Sequence, residues 1–169
     1  MGALLINTLR PAFFGFLIVA ISACGFALRG TNQAALTFDE MTIIQPSGYY
    51  PLAESLAEAF RANNVTVPAP PVANQGYALA LSPETLEQRT ITINTRAGGG
   101  QYELILSVDA TLYLNGELIG GPETITTRGS FYEDTANISG SNSARNLALV
   151  AMRRTLADQI LRRLQALNL

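Results

Sequence analysis

The chain has no histidine, no lysine and no tryptophan, and it has one cysteine. Each absence removes a class of chemistry. Zinc sites draw mainly on His and Cys, and Ser-His-Asp catalysis needs the imidazole. A lone cysteine closes no disulfide within the chain. Charge is scarce too, at 14% of residues against about 25% in an ordinary soluble protein. All eleven basic residues are arginine, set against 13 acidic ones, so a globally basic nucleic-acid binder is not supported. Carboxylate pairs are the remaining catalytic option. Glu54 and Glu58 share a helix face, and Glu133 and Asp134 are adjacent, but both pairs read as solvated surface. The glycines at 98–100 lack the GK[ST] continuation of a phosphate loop and read as a turn. No enzyme emerges, and no cofactor or metal is expected.

Apolar residues are plentiful, at 48% of the 169 residues. That suffices for one domain of ordinary size. Part of the excess lies in "LRPAFFGFLIVAISA", where Arg10 precedes an apolar run from Ala12 to Ile21 broken only by Gly15. This is the layout of a secretory signal, and the run is short of the about 20 residues of a transmembrane helix. The run ends in Ile21-Ser22-Ala23-Cys24, which resembles the bacterial lipobox. Small side chains admit the signal peptidase, and only a thiolate is nucleophilic enough to form the thioether. Cys24 is therefore expected to carry the lipid, as an N-acyl S-diacylglyceryl cysteine. The plainer alternative is a small buried Cys24 after ordinary cleavage. Several acyl chains anchor a protein stably in a membrane. Gly25, rather than Asp, follows the cysteine, which favours the outer membrane. The Asn-x-Ser/Thr matches at Asn64 and Asn137 carry no meaning in a bacterial lipoprotein.

The chain thus divides into a signal over 1–23, a lipidated tether over 24–37 and a single domain over 38–169. Within the domain, 38–44 has strand character, and Pro51 opens a helix whose Leu52, Leu56, Ala59 and Phe60 share a face. Asn63-Asn64 ends it. The segments 77–82 and 89–96 alternate as strands do. The clearest strand is 101–114, with Tyr102, Leu104, Leu106, Val108, Ala110, Leu112 and Leu114 on one face. Asn115-Gly116 signals a hairpin, with a longer, bulged return through "ELIGGP" to a partner strand at 123–134. A polar stretch follows, and then a helix from Ala144 to Leu167 with Ser143 as N-cap. Its apolar arc holds Leu149, Met152, Leu156, Ile160, Leu164 and Leu167, with Arg154, Asp158 and Arg162 opposite. The order condenses to β-α-β-β-β-α: an α+β two-layer sandwich, with two helices on one face of a mixed four-stranded sheet.

Arg153 lies near the middle of that apolar arc and Arg163 at its edge. Either snorkels or pairs with a sheet carboxylate such as Glu103 or Asp109. The sharper alternative is contact with an anionic ligand or a partner protein.

Several stretches resemble one family. "CGFALRG" after the lipobox is similar to the opening of the lipopolysaccharide-assembly lipoproteins, the LptE family. "QYELILSVDATLYLNG", "TTRGSFYEDTANISG" and "RRTLADQILRRL" follow in the family's order and spacing. The resemblance implies a non-catalytic subunit of the outer-membrane lipopolysaccharide translocon. Such a subunit plugs and helps to assemble a large β-barrel partner of LptD type, and binds lipopolysaccharide. The alternating Thr/Ser positions of 89–96 and 123–130 would give the polar, low-charge surface that suits a hydrophilic lumen. Arg96, Arg128 and Arg153 are the candidate contacts to anionic lipid groups or to the partner. Two other readings stay open: a lipoprotein of another envelope-assembly machine, distinguished by the absence of a barrel partner, and a periplasmic hydrolase.

Overall fold

The computed structural model describes residues 36–68, 75–94 and 99–167. The predicted signal, Cys24 and Arg96 lie outside the described residues. The elements are β1 (Met41–Ile44), α1 (Pro51–Ala62), β2 (Tyr77–Leu81), β3 (Thr85–Asn94), β4 (Gly99–Leu114), β5 (Glu117–Asp134) and α2 (Ile138–Ala166).

The α+β architecture is the expected one, and the sheet is mixed: β1 runs parallel to β2, and all other pairings are antiparallel. It holds five strands where the condensed order named four. The register explains the difference. β5 pairs along the whole of β4, so β2 and β3 must share the other edge of β4. There β2 faces residues 110–114 and β3 faces 99–107. Five strands thus occupy four positions, with β2 and β3 end to end. The break falls at Ser82-Pro83-Glu84, because proline has no N–H to give the ladder.

Local chemistry accounts for the helix ends. Pro51 opens α1 at its first helical position, where the missing N–H costs nothing. Asn64 ends it in the left-handed region at φ 62°. The Asn64 N–H donates to Arg61 O and the Val65 N–H to Phe60 O, and buried Val65 lies one turn past buried Phe60. This is a Schellman cap with its apolar contact.

α2 begins six residues earlier than the sequence suggests. Its cap is Asn137, not Ser143, and the Asn137 side chain accepts from Gly140 N. The polar stretch 138–143 joins the helix behind the Asn137 cap, and its serines turn their hydroxyls back to carbonyls four residues earlier. Ser141 Oγ donates to Asn137 O, and Ser143 Oγ to Ser139 O.

At the other end of the sheet, Asn115 and Gly116 both take positive φ, 52° and 81°, as a two-residue type I′ hairpin requires. β5 therefore starts at once, at Glu117 rather than 123. The expected bulges are present, since Leu112 faces Gly120 and Ala110 faces Glu123. A side chain at Gly121 (φ 94°) would press against the Ala110 carbonyl.

Both helices cover the same face of the sheet, with α2 packed on β5 and on α1. The core between the layers is built on Met41, Leu52, Leu56, Phe60, Leu104, Leu106, Leu156 and Ile160, all essentially solvent-free. In α2 the arc Leu149, Met152, Leu156, Ile160 and Leu164 is buried as expected, while Leu167 is exposed.

Candidate functional site

The side of the sheet away from the helices is open among the described residues. Alternation along β4 sends Glu103, Ile105, Ser107, Asp109, Thr111 and Tyr113 to this side. The register aligns them with Thr85, Glu87 and Arg89 of β3, and with Thr124, Thr126, Arg128 and Ser130 of β5. Hydroxyls and carboxylates knit across the strands. Ser107 Oγ and Thr126 Oγ1 are 3.0 Å apart, and Thr124 donates to Asp109 Oδ1 at 2.6 Å. Arg89 clasps Glu87 with Nε and Nη2 at 2.9 and 3.1 Å; that pair is exposed and contributes little to stability. Two arginines against three carboxylates leave the surface near neutral. Ile105 is the apolar exception. It is buried between its cross-strand neighbours Glu87 and Arg128, whose methylene stems shield it.

The three candidate arginines have different situations. Arg128 is exposed at the centre of the open face, and its guanidinium meets no carboxylate among the described residues. Arg96 lies outside the described residues, within the β3–β4 connection. Arg153 lies on the other side of the sheet. Its partner is neither Glu103 nor Asp109, which point away from the helices, but Glu84. Arg153 Nε lies 3.0 and 3.1 Å from the two carboxylate oxygens, and Nη2 lies 2.8 Å from Oε2. Arg163 Nη1 lies 2.6 Å from Glu123 Oε1. It has no hydrogen-bond geometry there, so that contact is ionic.

Two residues that the sequence reading passed over, Glu84 and Tyr50, complete the Arg153 cluster. The available signal was Arg153 itself, because a cation on an apolar arc either snorkels to water or finds an anion nearby. A carboxylate at a strand break, freed from alternation, is better placed to turn inward than one in mid-strand.

Two grooves lie among the described residues. One groove of about 270 Å³ is lined by Ile43, Ala53, Ala57 and Val67 with Glu54 and Arg61. Another, of about 110 Å³, lies under Arg163 between Leu112, Ile125, Ile160 and Leu164. Both fall below the roughly 300–1,000 Å³ of small-molecule sites. Among the described residues, no group of three or more Cys, Asp or Glu residues could hold a metal, and no helix is long and apolar enough to cross a membrane.

Residues 38–164 match the profile of the family described as LptE, lipopolysaccharide-assembly. The chain belongs to this family. Among its relatives, the LPS-assembly lipoproteins LptE of Yersinia enterocolitica and Yersinia pestis are each 25% identical over 150 residues, covering 89% of this chain and 72% of theirs. Solved structures share the fold. A minor lipoprotein from Acinetobacter baumannii superposes with a TM-score of 0.62 at 23% identity, over 78% of this chain and 93% of that one. Rare lipoprotein B of Shewanella oneidensis gives 0.62 at 25%, over 75% and 94%. Lipoprotein B of Nitrosomonas europaea gives 0.64 at 19%, over 85% and 92%.

Proposed function

We propose that this protein is an outer-membrane lipoprotein, anchored through an acylated Cys24, that plugs and helps to assemble an LptD-type β-barrel and contacts lipopolysaccharide without catalysis. The observation that carries the reading is the open sheet face on a domain of a lipopolysaccharide-assembly family. Barrel lumens are polar, so a resident plug needs a surface that hydrogen-bonds without a strong field of either sign. The Ser107–Thr126 and Asp109–Thr124 pairs supply it. Arg128, exposed on that face and meeting no carboxylate among the described residues, offers a planar fork for phosphate, and Arg96 is the second proposed contact. Arg153 is engaged by Glu84 and is assigned to the architecture instead.

The test is affinity purification of the full-length tagged protein from outer membranes, with mass spectrometry of bait and co-purified proteins. The reading expects a stoichiometric large β-barrel and a bait whose N-terminal peptide begins at acylated Cys24. A triacylated bait without a barrel would remove the translocon role, and an unmodified Cys24 would remove the anchor as well.

A further inference from the structure

The break between β2 and β3 is a weak point in the backbone ladder. Between the pairs Leu81–Ala110 and Thr85–Ser107, three residues oppose two on β4, the signature of a bulge. Ser82 N still donates to Asp109 O, but Asp109 N turns to the Ser82 hydroxyl, and Pro83 has nothing to donate. The break interrupts one position of the sheet, while β4 and β5 run paired past it. On one side, β1, β2 and both helices enclose the core. On the other, no further strand lies beyond β3 among the described residues, and there the N-terminal part of α2 covers this half of the sheet, running from Ser141 beside Asp134 to Met152 beside Gly129.

Side chains span the break. Tyr50, the residue before α1, donates its hydroxyl to Ser82 O at 2.6 Å. Glu84 receives Arg153 of α2 in the three contacts given above, across 69 positions of sequence. Both charged side chains are largely withdrawn from water, at 19% and 13% exposure. Arg153 stands between buried Met152 and Leu156, where an aliphatic residue would serve the core at least as well. A guanidinium there specifies a geometry, since its fork fixes direction as well as distance.

We propose that Glu84, Arg153 and Tyr50 form a joint that holds β3 in line with β2 and beneath α2 across the break. They are positioning residues: removing the joint leaves the domain folded but frees β3 to open. The inference stands on the geometry of the break and does not rest on the proposed function.

The experiment is hydrogen exchange on the full-length protein in detergent, comparing wild type with Glu84→Gln and Arg153→Lys. Glu84→Gln is expected to speed amide exchange across 85–94 about tenfold or more, with residues 41–44 and 77–81 changing less than about twofold. Arg153→Lys keeps the charge and loses the fork, so it should give a smaller increase, about threefold, over the same segment. It also serves should Glu84→Gln fail to fold. A uniform rise across all strands would mean that the pair supports global stability only, and would overturn the proposal. Exchange over 85–94 unchanged in Arg153→Lys would overturn it equally. No ligand or partner enters the measurement, so its failure is separate from any failure of the translocon reading.

Discussion

Strand β4 presents two different proteins to its two sides. Leu104, Leu106, Val108, Ala110 and Leu112 face the helices and are buried. Glu103, Ser107, Asp109 and Thr111 face away, where the described residues leave the sheet uncovered. The same backbone carries both sets, so the contrast isolates what side chains do. The covered face holds the fold together by removing apolar surface from water. The open face contributes little stability, and its ordered hydroxyl pairs make it suited to contact instead.

The largest break in this contrast comes from neighbours on one strand. Leu106→Ala should destabilise by about 2–5 kcal/mol, because it empties a fully buried site. Ser107→Ala, one residue along, should cost below about 1 kcal/mol. Denaturant unfolding of both variants decides it, and similar losses would erase the distinction between the faces.

Tyr50→Phe should cost about 1–1.5 kcal/mol by leaving the Ser82 carbonyl without its donor. Burial pushes the Tyr50 phenol up to about 12, with the Glu84 carboxylate adding to the shift and Arg153 opposing it. The folded protein therefore holds this proton more tightly than the unfolded chain. The stabilisation is complete below the ordinary tyrosine value of 10.0 and is lost as pH rises through about 12. The margin of wild type over Tyr50→Phe should narrow across that window in unfolding measured at stepped pH. A constant margin would contradict the assignment.

Asn137→Ala should cost about 1 kcal/mol and should loosen exchange only in the first two turns of α2. The smallest effect belongs to the open face: Glu87→Gln should change stability by less than about 0.5 kcal/mol, and that difference should vanish in high salt.

Much of the covered face was legible in the sequence. The alternation of β4, Pro51 at the start of α1, the Asn63-Asn64 stop and the α2 arc all follow from periodicity and capping chemistry that neighbouring residues decide. The misplaced features depend on distant partners. The start of α2 was missed because serines in 138–143 read as loop until their hydroxyls are seen to bond backwards. Glu84 was missed because its role exists only once β4 aligns β2 and β3 and brings α2 overhead. The open face was legible as a polar stripe. That both helices lie on the opposite face was expected as well, from the two-layer arrangement; the cross-strand register that pairs Ser107 with Thr126 and Asp109 with Thr124 depends on tertiary packing.

The most direct test of the central claim, that the open sheet face is the contact surface, is site-specific photocrosslinking in intact cells. A crosslinking residue is placed at Thr111, Thr126 or Arg128 on the open face, and at Arg154, Asp158 or Arg162 on the exposed side of α2. The account predicts that the open-face positions capture a large outer-membrane β-barrel or lipopolysaccharide and that the α2 positions capture neither. Crosslinks from α2 alone would contradict it.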